Sequence, residues 1–166
     1  MLALVMGSCS RKKDTGTIIT KIELPKVSKE TKAVGNGDNS QHFQWGGAMC
    51  DAKISVEADT ARSTVKDEDG NKYYDNTVTL VLDGPDGLSI KRKFCKDDFT
   101  PYVNTDYIKP SKSIVKGLVF NKVENGNAVF VATIGSPDDM ADEYMSVAVS
   151  ISKSGGVTMN GLQEME

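Results

Sequence analysis

Residues 117–134 read GLVFNKVENGNAVFVATI. Two apolar arms flank Asn125-Gly126, a dipeptide suited to a two-residue turn with positive φ at both central positions. A turn there sets Phe120 opposite Val131, Val119 opposite Ala132 and Gly117 opposite Ile134. Apolar side chains then fall on both faces of both arms, whereas a hairpin with one wet face alternates. The expectation is a hairpin in the middle of a sheet, covered on both sides.

Working outward, the same rhythm recurs. Ala52 to Thr60 alternates, with Ala52, Ile54, Val56 and Ala58 on one face. Tyr73 to Asp83 reads as a strand, Gly84-Pro85-Asp86-Gly87 as a turn, and Leu88 to Phe94 as its return. Met145 to Ser152 alternates, and Ser154-Gly155-Gly156 turns it into Val157 to Leu162. Gln41 to Gly47 places Phe43 and Trp45 on one face. Thr17 to Leu24 is a candidate first strand, and Gly35 to Ser40 reads as loop or linker. The period breaks at Lys96 to Val103, where Asp97 and Asp98 suit the first turn of a short helix whose aromatics lie on the sheet. The fold class expected is all-β, an antiparallel meander of eight or nine strands closed as a barrel or folded as a sandwich, with one short helix.

A chain of 166 residues suits one domain with a real core. Net charge is −3, and no dominant basic face marks a nucleic-acid footprint. Lys91-Arg92-Lys93 reads as a strand with two wet lysines.

Met1 to Met6 is apolar, and Gly7-Ser8-Cys9 and then Ser10-Arg11-Lys12-Lys13 follow. An apolar run ending in small residues and a cysteine resembles a bacterial lipoprotein signal, which would make Cys9 the lipidated first mature residue. The apolar run is shorter than an ordinary signal core and lacks a basic start. The organisation expected is a truncated signal-like segment over 1–8, a tether over 9–16 and a single β domain over 17–166. With Cys9 acylated, Cys50 and Cys95 remain as an even pair. They are read either as a disulfide in an oxidising envelope compartment or as two buried free thiols.

The stretches KYYDNTVTLVL (72–82), KRKF-CKDDF (91–99), GLVFNKVENGNAVFVA (117–132) and EYMSVAVSISKSGGV (143–157) resemble a family of small Bacteroidetes lipoproteins described only as a domain of unknown function. The likeness spans roughly residues 50–160, most of a one-domain chain. It implies an address, a membrane-tethered envelope protein, and carries over no catalytic residue. Basic Arg11, Lys12 and Lys13 after Cys9, in place of acids, favour the periplasmic side over surface display.

His42 is the sole histidine, which removes most metal and nucleophile schemes, and only a Cys50–His42 dyad is left to consider. Asp67-x-Asp69-Gly70-Asn71, with Asp75 beyond, is read as a turn first and a calcium loop second. Asp138, Asp139, Asp142 and Glu143 are read as a solvated acidic loop. No cofactor, catalytic residue or metal ligand is expected. Phe43, Trp45, Tyr73 and Tyr74 are candidates for an aromatic ligand groove, with core packing as the bland reading. Arg92 shares parity with Ile90 and Phe94 and is a candidate for an anionic ligand or a buried acid.

The leading expectation is a lipid-anchored, non-catalytic binding module for a small ligand, a glycan or a protein. The alternatives are a structural or assembly subunit of an envelope complex and, ranked below it, a carboxylate-based hydrolase.

Overall fold

The structure, a computed structural model, describes residue 24 and residues 26–163. Ten strands run through these residues: β1 (Gly37–Trp45), β2 (Ala48–Asp59), β3 (Val65–Lys66), β4 (Lys72–Tyr73), β5 (Asp75–Asp83), β6 (Ser89–Cys95), β7 (Ile114–Glu124), β8 (Asn127–Gly135), β9 (Tyr144–Ile151) and β10 (Val157–Leu162). One short helix, α1 (Lys96–Phe99), follows β6. The strands form two four-stranded antiparallel sheets, ordered β1-β2-β5-β6 and β10-β9-β8-β7, and a two-residue ribbon of β3 with β4. The sheets stay separate, so the architecture is sandwich-like and no barrel closes. The expected Thr17 to Leu24 strand falls, apart from Leu24, outside the described residues.

Inner faces follow the alternation. Ala52, Ile54 and Val56 on β2 meet Leu80 and Leu82 on β5, while Phe130, Ala132 and Ile134 on β8 meet Val147 and Val149 on β9. Phe43 stacks on Phe120 with ring centroids 4.3 Å apart, and Phe120 meets Phe130 edge-on, so an aromatic run crosses from one sheet to the other. Gln41 reinforces the crossing, accepting the Phe120 N–H at 3.1 Å.

Several expectations need correction. Gly37 to Ser40 is not loop but the start of β1, paired with Lys53 to Val56. The Tyr73 to Asp83 strand is broken at Tyr74, since Tyr73 pairs in the ribbon and Asp75 begins β5. Of the aromatics expected to lie on the sheet, Phe99 in α1 is buried, but Tyr102 in the 3-10 turn Thr100–Tyr102 that follows is 41% exposed.

The hairpin over 117–134 needs the largest correction. Asn125 (φ 50°) and Gly126 (φ 77°) make the two-residue turn, and the pairs nearest it, Glu124–Asn127 to Lys122–Val129, have the register that such a turn dictates. Beyond Lys122 a bulge intervenes, and Phe120 pairs with Phe130 rather than Val131. A second irregularity separates Val115 from Gly117. Each extra residue flips the strand's parity. By register Val115, Leu118, Phe120 and Val123 therefore share the inner side, at intervals of three, two and three, although Val123 beside the turn is 37% exposed. β7 is moreover the edge of its sheet, not its middle, and Val119 on its outer face is 49% exposed.

Candidate functional site

Hairpin connectivity sorts the loops between two ends. The turns β1–β2, β5–β6, β7–β8 and β9–β10 share one end, and the connections between hairpins share the other. At the shared-turn end, β1 delivers Trp45, whose indole N–H donates to the Gly126 carbonyl of the opposite sheet at 2.8 Å. Gly46 follows with φ +61°, a conformation glycine adopts without strain. Its bare backbone lets Lys153, from the β9–β10 turn, lie across it, because a Cβ at Gly46 would sit 2.5 Å from Lys153 Nζ. Lys153 Nζ stands 5.8 Å from the Trp45 ring centroid. From the same turn the Gly155 carbonyl accepts Arg92 Nη2 at 2.5 Å. Between the turns lies an open cleft of about 390 Å³. Ala48, Pro85, Asp86, Gly87, Leu88 and Lys153 line it, with Trp45 and Cys50 at its base.

Among the proposed ligand residues, Trp45 therefore belongs to this cleft and Phe43 packs beneath it, 6.0 Å from the indole. Among the described residues Arg92 pairs with no acid. Its guanidinium donates to the Lys91 carbonyl on its own strand and reaches across to the Gly155 carbonyl in the β9–β10 turn of the other sheet. Tyr73 and Tyr74 are at the far end and do not join the groove. Tyr73 is buried in the ribbon, and its hydroxyl donates to Asp67 at 3.0 Å. Sequence reading missed Lys153, Asp86 and Leu88. The available signal was parity, since alternate turns of a meander must share an end.

Cys50 and Cys95 are free thiols. Asp51, next to Cys50, pairs with Asp83, whereas Cys95 pairs with Thr77. Those partners are six steps apart along β5, about 20 Å at ordinary strand rise, which is out of disulfide range. A Cys50–His42 dyad is also absent. Cys50 points into the core opposite Phe43, and His42 lies on the wet face, paired with Asp51.

The opposite end holds the buried ionic cluster. Asp75, 1% exposed, receives Lys96 Nζ at 3.0 Å and faces Arg62 Nε at 3.8 Å. Its other oxygen accepts the N–H groups of Asn76 and Val115. Lys96 also donates to the Ser113 carbonyl, and Arg62 to Asp97 at 2.6 Å. Charges balance within the group, and its bonds tie the α1 end of one sheet to β7 of the other. The Arg62 hydrogen bond holds the Asp97 carboxyl below its ordinary proton affinity. Asp98 instead caps α1 by accepting the Cys95 N–H at 2.8 Å. The adjacent acids thus have separate structural partners and do not converge as an acid–base pair.

Asp67 proves to organise a turn. It accepts the Asn71 backbone and side-chain N–H groups and the Tyr73 hydroxyl. Asp139 in the acidic loop pairs with Lys116. Among the described residues, no three His, Cys, Asp or Glu side chains are grouped to hold a metal ion, and no helix is long and apolar enough to cross a membrane.

The family described as "Domain of unknown function (DUF4738)" matches residues 18–159. The chain belongs to that family. No curated protein matches it. The DUF4738 domain here is thus an antiparallel sandwich with a cleft at its shared-turn end and an ionic clamp at the other.

Proposed function

We propose that this DUF4738 protein is a lipid-anchored envelope protein whose domain works as a non-catalytic binding module. The observation that carries the binding role is a cleft lined from three hairpin turns, β1–β2, β5–β6 and β9–β10, with an indole at its base that is fastened to the fourth turn. Loops held on a rigid sandwich are where binding residues concentrate. Supporting the non-catalytic part, the acids whose proton affinity departs from the ordinary value (Asp59, Asp67, Glu68 and Asp97) are all held more firmly ionised, the wrong direction for a general acid. The anchor reading rests on the apolar run before Cys9 and the polar tether after it. Basic Arg11, Lys12 and Lys13 after Cys9, in place of acids, favour the periplasmic side for the domain.

Native and denatured mass of the Cys9→Ser protein, purified gently from the periplasm, tests the binding role. The expected native mass exceeds that of the chain and falls to it on denaturation. A bare chain in both states, with no response of its turn-end resonances to an envelope glycan and metabolite extract, overturns the reading. Loss of fatty-acid labelling in Cys9→Ser tests the anchor.

A second reading, an assembly subunit, has its own observation. The outer face of the β10-β9-β8-β7 sheet presents Val119, Val131, Thr133, Ala148, Ser150 and Leu162, a row without charge across its middle. In this reading another copy covers that face. A native mass at a multiple of the chain, abolished by Val131→Lys, supports it, and a monomer at high concentration overturns it.

A further inference from the structure

The indole of Trp45 borders the cleft yet is 0% exposed. Its inner side packs towards Phe43, and its N–H is fixed on the Gly126 carbonyl. The ring is therefore held at one angle, and Lys153 lies over it on the cleft side. Lys153 is itself exposed and makes no ion pair with a described residue. A cation–π contact at an exposed site is weak, and a lysine stem has many rotamers. The ammonium can thus leave the ring at little cost and stand free in the cleft beside an indole whose angle is fixed.

We propose that the cleft takes an acidic sugar, with Lys153 as both its gate and its counter-charge. This assignment rests on the binding reading of the same end and names its ligand class. The apolar C–H face of a pyranose ring stacks on the indole, and its carboxylate pairs with the displaced Lys153 ammonium. Asp86, in the β5–β6 turn, also lines the cleft and supplies an acceptor for ring hydroxyls. That carboxylate argues for a sugar acid over an aromatic acid, which brings no hydroxyl donors, and against a second negative charge on the ligand. Ala48, Pro85 and Leu88 supply apolar lining. A volume of about 390 Å³ is at the small end for ligand sites and suits one or two rings.

Trp45 is the sole tryptophan, so its emission reports on this site alone. The test uses the Cys9→Ser chain, acrylamide as quencher, and D-glucuronate with its neutral amide as probes. Lys153→Ala is expected to raise quenching of Trp45 without changing the circular dichroism spectrum. In the parent chain, glucuronate is expected to shift the emission and to bind about tenfold tighter than the amide, the size of one charge-assisted hydrogen bond. Lys153→Ala should bind acid and amide alike, and Lys153→Arg should keep the preference. Unchanged quenching in Lys153→Ala, or an acid preference that survives it, overturns the proposal. If neither probe binds while a copurified mass is still lost on denaturation, the sugar-acid assignment fails and the binding module stands. If both measurements are negative, both readings fail.

Discussion

The indole N–H of Trp45 on β1 donates to the carbonyl of Gly126, the second turn residue between β7 and β8, at 2.8 Å. The two residues belong to different sheets, so this one bond fastens a strand end of one to a hairpin turn of the other. Trp45→Phe keeps an aromatic ring and removes the donor. It should destabilise the domain by about 1–2 kcal/mol, because the carbonyl loses its partner in a half-buried place. Trp45→Ala also empties a fully buried site and should cost about 3–5 kcal/mol. Urea unfolding followed by circular dichroism checks both, and a Trp45→Phe protein as stable as the parent would show that the bond contributes nothing.

Asp75 and Lys96 should behave as a unit. Asp75→Asn leaves an ammonium that is 11% exposed without its counter-charge, at a cost of about 3–5 kcal/mol. Adding Lys96→Met removes the stranded charge and should recover part of that loss. A double-mutant cycle in urea measures the coupling, and strict additivity would sink the clamp.

The Asp67–Tyr73 clasp predicts two limbs of a pH–stability curve. Burial and the neighbouring Asp67 push the Tyr73 phenol up from 10.0 to about 12. Folding then favours the protonated phenol, so stability is full below pH 10 and declines as pH rises towards 12. Burial opposes the charge of Asp67, but hydrogen bonds from Asn71 and Tyr73 more than offset it and leave its carboxyl below the ordinary 3.8. Its contribution is present above that value and is lost as pH falls through the lower folded one. Near-ultraviolet titration should find a late-titrating tyrosine. Asp67→Asn should move it back towards 10 and flatten the acid limb.

Thiol labelling separates the cysteines. In the Cys9→Ser chain, half-exposed Cys95 should react in the native state, and buried Cys50 only on unfolding. Alkylation under denaturing conditions should add two labels even to protein recovered from the periplasm. A mass two hydrogens short, with no label, would mean that the bridge forms after all.

The hairpin rhythm was legible because it is local. Asn125-Gly126, Gly84 to Gly87 and Ser154 to Gly156 mark turns by residue type, and the alternation in β2, β5 and β9 names inner faces two residues at a time. The helix at Lys96 could be read from its capping acids. Of the aromatic candidates, Trp45 borders the cleft while the ribbon claims Tyr73.

β7 shows where local reading stopped. Its apolar residues read locally as two buried faces, but intervals of three, two and three record one inner side interrupted by two register shifts. A bulge has no residue signature of its own and exists only against a partner strand. Residue types and their spacing thus determined that this chain makes hairpins, where they turn, and which side chains most of them bury. Only the tertiary structure decided that β7 lies at an edge, that the cysteines stay apart, and that Lys153 lies over Trp45. Each of these depends on the distance between segments far apart in the chain, which is set when two sheets pack.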